Sequence, residues 1–218
     1  CMSERIKPTI SGSAETMLQS FYARAQYSKS KHNKFYDAKA VELVDKIDYD
    51  VSTAARDSTM GKGVIARTVV FDELVKKAKE LGISIIMDLV VNHCSSEHVW
   101  FKKAIADKNS PYRDYFYFRQ GKADGTPPDN LRSYFGGSVW EKVPNEDNTY
   151  YLHYFAKEQP DLNWYNPKVR EEIYAMMNRW FERGIDGFRV DAIMNIEKDL
   201  SFPGLPADSD DGMASSAT

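Results

Sequence analysis

The sequence predicts an α/β fold built on parallel strands, either a parallel sheet or an (α/β) barrel. Two helix–strand units support this prediction, one over residues 70–91 and one over residues 166–193. About 75 residues rich in aromatic residues, Pro and Gly lie between the first strand and the second helix. A structureless loop of that length is unusual in a compact domain, so we expect an inserted subdomain there.

The first unit begins with VFDELVKKAKELG (70–82), in which apolar residues recur at helical spacing and Lys and Glu cover the opposite face. Gly82 stands where a helix C-cap is expected. The segment ISIIMDLVV (83–91) follows and is too apolar for a half-exposed strand. The pattern therefore predicts a helix that leads into a buried parallel strand.

The second unit repeats this order with NPKVREEIYAMMNRWFERG (166–184) and IDGFRVDAI (185–193). Asn166 is a suitable N-cap, Pro167 suits the first helical position, and Gly184 suits the end. The strand after it is the second parallel strand of the predicted sheet.

The N-terminal third has weaker signals. AETMLQSFYARA (14–25) is compatible with a short helix, and KAVELVDKI (39–47) has Val41, Val44 and Ile47 at helical spacing. The Gly-containing stretch DYDVSTAARDSTMGKGV (48–64) is expected to be a loop.

Composition excludes several classes of protein. The 218 residues are 42% hydrophobic and 13% aromatic, which is typical of a globular protein. A formal net charge of −3 argues against a nucleic-acid partner, and no apolar run reaches the ~20 residues that span a bilayer. The two cysteines and the absence of a readable signal segment make the cytoplasm the expected location.

The strand GIDGFRVDAI carries two charges on one face. Arg189 and Asp191 lie two residues apart, so their side chains point to the same side of the strand. Because an adjacent cation lowers the pKa of a carboxylate, Asp191 would remain ionised, as a carboxylate nucleophile must. A buried structural ion pair explains the same two residues equally well.

A second polar cluster follows the other strand. Asp88, Asn92 and His93 occupy the carboxyl end of MDLVVNH, the end at which barrels bind ligands. Each of the three is also compatible with a structural role. The segment NHCSSEH (92–98) does not fit a known zinc spacing, so no metal or other cofactor is expected.

Three segments together resemble signatures of the α-amylase superfamily of glycoside hydrolases, in its oligo-1,6-glucosidase/α-glucosidase branch. MDLVVNH resembles the signature at the third barrel strand, GFRVDAI the signature at the fourth, and QPDLN (159–163) the motif of that branch. The resemblance covers residues 70–214 and implies an incomplete TIM (β/α)8 barrel with a domain B-like subdomain inserted after the third strand.

The resemblance also implies a role for each matching residue. Asp191 would be the catalytic nucleophile, Arg189 would hold it ionised, and His93 would bind a sugar hydroxyl. Asp88 and Asn92 would be structural supports of the site. YDVS (49–52) resembles a further family segment, in which Asp50 would bind the non-reducing glucose.

Other expectations follow from the same resemblance. Ala192 would be a specificity position, at which Val accompanies α-1,6 selectivity and a smaller residue accompanies α-1,4 tolerance. The acid/base Glu expected on the fifth strand is not found in this sequence, and Glu197 lies too close behind Asp191 to match it. The chain is therefore expected to be inactive or nearly so, and its unpaired strand edges are expected to promote association.

The domain organisation implied is a diverged or foreign segment (1–69), a partial barrel (70–93 and 166–218) and a domain B-like insert (94–165). The predicted substrate is a short α-glucosidic oligosaccharide of the isomaltose or maltose type. Alternatives are a non-catalytic carbohydrate-binding or scaffold protein, and a fragment similar to sucrose isomerase or phosphotrehalase.

Overall fold

The computed structural model describes residues 15–48 and 58–215, together with Lys7. The chain divides into two compact units, residues 1–84 and 85–218. Its α-helices in these ranges are α1 (Glu15–Ser28), α2 (Ala38–Val44), α3 (Ser58–Glu80), α4 (Val99–Ala106) and α5 (Pro167–Glu182). Its strands are β1 (Ile86–Leu89), β2 (Phe118–Gln120), β3 (Leu131–Arg132), β4 (Trp140–Lys142), β5 (Thr149–Leu152), β6 (Gly187–Val190) and β7 (Ala214–Ser215).

The first unit is helical. Helix α1 contacts both α2 and α3, and the Asp37 side chain caps α2 by accepting a hydrogen bond from the Ala40 amide at 3.0 Å. Both helices predicted before residue 48 are confirmed. The loop predicted over residues 48–64 is wrong for residues 58–64, which form the first turns of α3. Two glycines there, Gly61 and Gly63, are tolerated inside the helix at a cost of about 1 kcal/mol each relative to Ala.

Helix α3 ends as the sequence predicts. Gly82 adopts φ +72°, and the Ile83 amide donates to the Ala78 carbonyl at 2.9 Å, as in a Schellman motif. The apolar face of this helix is exposed. Its most exposed members include Phe71, at 59%, and Leu74, at 56%.

The second unit contains the predicted parallel pair. Strands β1 and β6 pair in parallel, with Asp88 opposite Arg189. Helix α5 leads into β6, and its Asn166 cap accepts from the Lys168 amide at 3.0 Å. These elements confirm the predicted helix and the parallel arrangement.

The expected burial of both strands is wrong. Ile86 is 64% exposed and Val190 is 37% exposed, although Leu89 is buried. The reason is that β1 and β6 pair only with each other among the described residues, so their outer edges and part of their faces meet solvent.

The segment between β1 and α5 folds around an antiparallel sheet. Strand β5 lies between β2 and β4, and β3 pairs in parallel with β7 near the end of the chain. One apolar cluster joins this segment to β1 and α5, and it comprises Leu89, Val91, Phe101, Ala104, Tyr115, Phe116, Val143, Tyr151, Leu162, Val169 and Ile173. This packing holds the carboxyl end of β1 against the antiparallel sheet's subdomain.

Candidate active site

The carboxyl ends of β1 and β6 bring the predicted charged residues together. Arg189 Nη1 donates to Asp88 Oδ1 at 2.6 Å and to Asp191 Oδ1 at 3.0 Å. Opposite residues of a parallel pair point to the same face, which explains why Asp88 reaches Arg189. The cation therefore lies between two carboxylates and orients both.

This ion-pair cluster is open to solvent rather than buried. The side chains of Arg189, Asp88 and Asp191 are 66%, 53% and 35% exposed. The two carboxylates raise the pKa of Arg189, chiefly through the hydrogen bond that Arg189 donates to Asp88. Because water screens exposed charges, the cluster orients Asp191 and contributes little to folding stability. The alternative of a buried structural ion pair does not fit this exposure.

Ala192, directly after Asp191, adopts a left-handed backbone conformation. Its φ and ψ are 49° and 36°, and a short 3-10 turn (Ile193–Asn195) follows. Residues with a Cβ rarely adopt this region, where they store strain of about 1–3 kcal/mol. The chain thus turns sharply after β6 and leaves Asp191 at the strand's end.

Ala192→Val is expected to lower the free energy of unfolding by about 1–2 kcal/mol, because a β-branched side chain is more strained there than alanine. Ala192→Gly is the matched variant, and we expect it not to destabilise. Urea unfolding followed by tryptophan fluorescence measures both, since the four tryptophans all lie between residues 100 and 180. Equal midpoints for Ala192→Val and the unchanged chain would contradict the strain.

His93 follows β1 and is 9% exposed. Its Nε2 lies 2.9 Å from Gln159 Nε2, and Gln159 Oε1 accepts from the Ala156 amide, so the glutamine amide nitrogen faces the ring as a donor. Burial lowers the pKa of His93, and Lys198 adds to that effect, whereas the charges of Asp161 and Asp191 oppose it. Burial therefore favours the neutral ring. An amide nitrogen faces each ring nitrogen, Gln159 Nε2 at 2.9 Å from Nε2 and Asn92 Nδ2 at 3.4 Å from Nδ1, and the shorter contact favours Nε2 as the acceptor.

A buried polar network lies beside His93. Asp161, of the QPDLN segment, is fully buried and forms an ion pair with Lys198 at 3.0 Å. Asn92 connects the two, because its Nδ2 donates to Asp161 Oδ2 at 3.2 Å and its Oδ1 accepts from Lys198 Nζ at 3.1 Å. Both the oxygen and the nitrogen of the Asn92 side-chain amide are thus paired within this network.

The remaining predicted residue, Asp50, and the YDVS segment around it lie outside the described residues. Across the described ranges, no group of three or more His, Cys, Asp or Glu side chains has the geometry to hold a metal ion. No helix within those ranges is long and apolar enough to cross a membrane.

Four residues of this region are not among the candidate site residues that the sequence indicates. Lys198 pairs with Asp161, Gln159 contacts His93, and the Phe155 ring lies 5.1 Å from the His93 ring. For Gln159 and Asp161, the QPDLN motif is the signal that the sequence carries. Lys198 follows Glu197 in a polar stretch, and no local pattern marks it as buried.

Comparisons with known proteins agree with these features. The model of the family "Alpha amylase, catalytic domain" matches residues 67–217. The chain is 53% identical over 132 residues to an oligo-1,6-glucosidase of Heyndrickxia coagulans, covering 61% of this chain and 24% of the relative. It is 54% identical over 129 residues to a palatinase of Erwinia rhapontici, covering 59% and 23%.

A solved structure matches as well. The Bacillus licheniformis trehalose-6-phosphate hydrolase aligns with a TM-score of 0.58 and 51% identity, covering 65% of this chain and 25% of that protein. The chain thus spans about a quarter of the length of the relatives it matches. With the family model matched over more than half of its residues, the chain belongs to the alpha-amylase catalytic-domain family of TIM-barrel glycoside hydrolases.

Proposed function

We propose that this chain carries the nucleophile of an α-glucosidase-type retaining glycoside hydrolase, and that the 218 residues alone do not turn over substrate. The observation that carries the proposal is the position of Asp191. It ends a parallel strand, and Arg189 holds its Oδ1 at 3.0 Å. Within the described ranges, Asp191 Oδ2 has no hydrogen-bond partner, so this oxygen is available for attack.

In the proposed reaction of a complete hydrolase, Asp191 Oδ2 attacks the anomeric carbon as the bond from that carbon to the glycosidic oxygen breaks. The departing oxygen takes its proton from a second carboxyl group, which the described residues of this chain do not supply. The product of this step is a β-glucosyl ester of Asp191, which water then hydrolyses with overall retention. Arg189 orients Asp191 through the 3.0 Å hydrogen bond, and Asp88 in turn fixes Arg189 through the 2.6 Å hydrogen bond.

His93 is the proposed contact to a sugar hydroxyl. A sugar hydroxyl that donates a hydrogen bond to His93 Nε2 would share or replace the contact of that nitrogen with Gln159. The neutral form of the ring has one nitrogen that can accept such a hydrogen bond. Asn92 is proposed to support the site through its hydrogen bonds to Asp161 and Lys198. Asp50 is proposed to bind the non-reducing glucose. The low cysteine content favours a cytoplasmic location for this activity.

The proposed architecture is an incomplete (β/α)8 barrel with an insert after the third strand. In this architecture, the barrel part comprises residues 70–93 and 166–218. A domain B-like insert comprises residues 94–165, and a diverged or foreign segment comprises residues 1–69. The antiparallel sheet of β2, β5 and β4, which interrupts the chain between the two parallel strands, supports the proposal.

The inactivity follows from the second carboxyl group that retaining hydrolysis needs as an acid. Asp88 is the carboxyl group that shares Arg189 with Asp191. Asp88 Oδ1 already accepts a 2.6 Å hydrogen bond from Arg189 Nη1, so we assign Asp88 to orienting Arg189, and no described residue is assigned as the acid.

The proposed substrate is a short α-glucosidic oligosaccharide of the isomaltose or maltose type. Palatinase and trehalose-6-phosphate hydrolase relatives, at 54% and 51% identity, lie as close as the oligo-1,6-glucosidase at 53%. A phosphotrehalase-like function is therefore the second candidate, and trehalose 6-phosphate is the competing ligand to test.

Two assays on the purified chain test the proposal. 5-Fluoro-α-glucosyl fluoride is expected to label Asp191, because fluoride leaves without an acid, whereas p-nitrophenyl α-glucoside is expected to show no turnover. Calorimetry with isomaltose, maltose and trehalose 6-phosphate then ranks the ligands.

Three other results of these assays would contradict part or all of the proposed function. Turnover that Asp191→Ala abolishes would contradict the inactivity. Isomaltose binding without labelling would favour a carbohydrate-binding module, and neither binding nor labelling would contradict the proposed function.

A further inference from the structure

Lys198 is a buried cation that the proposed reaction does not use. Its side chain has no exposed surface, and Nζ donates to Asp161 Oδ2, Asn92 Oδ1 and the Asn195 carbonyl. A buried charge persists only when it is paired and hydrogen-bonded, and all three ammonium protons have an acceptor here. The site is therefore built around the cation.

The cation fixes the orientation of the Asn92 amide. Asn92 Oδ1 faces the Lys198 ammonium, and Asn92 Nδ2 faces the Asp161 carboxylate at 3.2 Å. Rotation of this amide by 180° would place an NH₂ group against an ammonium and an oxygen against a carboxylate. Lys198 thus locks the residue immediately before His93.

The same cation holds the segment on the other side of His93. Asp161 forms a backbone bridge with His93, and its Oδ1 accepts from the Tyr154 amide at 3.1 Å. Gln159, two residues before Asp161, contacts His93 Nε2, and the Cys94 amide donates to the Pro160 carbonyl at 3.1 Å. Any shift of Asp161 would move the partner of the His93 ring.

We propose that Lys198 is a positioning residue: it holds His93 in place through Asn92 and Asp161 and ties that site to the segment following Asp191. The alternative is that Lys198 only neutralises the Asp161 charge. The consequence for ligand binding rests on the proposed function, but the position of His93 does not.

The test uses the full chain with labelled histidine and reads the ring resonances of His93 by NMR. Lys198→Met removes the ammonium, and Asp161→Asn/Lys198→Met removes both charges. Lys108→Met, at an exposed lysine, is the matched control. We expect the His93 resonances to move in both Lys198 variants, with His32 and His98 unchanged, and to stay in place in the control.

The double variant separates the two explanations. If Lys198 only neutralises Asp161, the double variant regains both its stability and the original His93 resonances. If Lys198 positions His93, stability returns but the resonances stay displaced, because Asn92 Oδ1 still lacks its donor. Original His93 resonances in a folded Lys198 variant would overturn the proposal.

Two further measurements complete the test. In the unchanged chain, the Lys198 ammonium protons should exchange slowly with water and show NMR contacts to the Asn92 side chain. If these signals and contacts are not observed, the proposal is overturned, and this result does not require the variants to fold. Isomaltose should bind the folded double variant about tenfold more weakly, the kind of loss that misplaced site groups cause. Unchanged isomaltose affinity in the double variant would contradict the positioning role. An unchanged chain that neither binds a tested sugar nor is labelled would contradict the proposed function and leave the position of His93 to the NMR test.

Discussion

Asp191→Asn is expected to abolish covalent labelling by 5-fluoro-α-glucosyl fluoride, with a loss on the order of 10³-fold or more. The amide is neutral and a poor nucleophile, whereas the carboxylate it replaces is oriented by its hydrogen bond from Arg189. The substitution is nearly isosteric, so Arg189 keeps its hydrogen bond to Asp88 and the strand ends should be unchanged. Mass spectrometry of the intact chain and of its peptides measures the label.

Asp88→Asn distinguishes the two carboxylates that Arg189 bridges. Because Asp88 is proposed to act only by orienting Arg189, this variant should still be labelled at Asp191, at a lower rate. Labelling of the Asp191→Asn variant, or a label found on Asp88, would contradict the assignment of the nucleophile.

Asp161→Asn is expected to lower the free energy of unfolding by about 3–5 kcal/mol, because it leaves the buried Lys198 cation without its carboxylate. Tryptophan fluorescence during urea unfolding measures this loss in the unit of residues 85–218, which contains every tryptophan. Asp210→Asn, at an exposed position, is the control and should change the free energy by less than about 0.5 kcal/mol.

The loss should depend on pH in a defined direction. Burial lowers the pKa of Lys198 from 10.5, and loss of Asp161 removes an interaction that opposes this effect. At pH values between the lowered pKa of Lys198 in the folded state and its ordinary pKa in the unfolded state, the unfolded state binds more protons. The free energy of unfolding therefore rises with pH in that window. The deficit of Asp161→Asn should therefore narrow towards pH 10.5. A loss below about 1 kcal/mol, or a deficit that widens with pH, would contradict the buried ion pair.

Local patterns in the sequence were sufficient for several elements. Helical spacing, the Asn166 cap and Pro167 predicted α5, and Gly82 predicted the end of α3, because caps and periodicity act over a few residues. The same local reasoning was wrong for residues 58–64, where small residues and glycines suggested a loop. Helix propensity is weak, and the extension of α3 shows that one helix can continue through such a stretch.

For the charged strand β6, some features follow from the sequence and others require the tertiary structure. Its alternation correctly placed Arg189 and Asp191 on one face, and the order of polar residues after two strands correctly indicated a shared strand edge. The role of Asp88 as a second partner of Arg189 required the register of β1 against β6, which no spacing within either segment contains.

The sequence by itself determined the family, the parallel strand pair and the residues that line its carboxyl ends. Only the tertiary structure decided that Lys198 is buried, that it reaches Asn92 across 106 residues, and that β1 and β6 are partly exposed. Periodicity and caps depend on neighbouring residues, whereas burial and ion pairing depend on which distant segments the folded chain brings together.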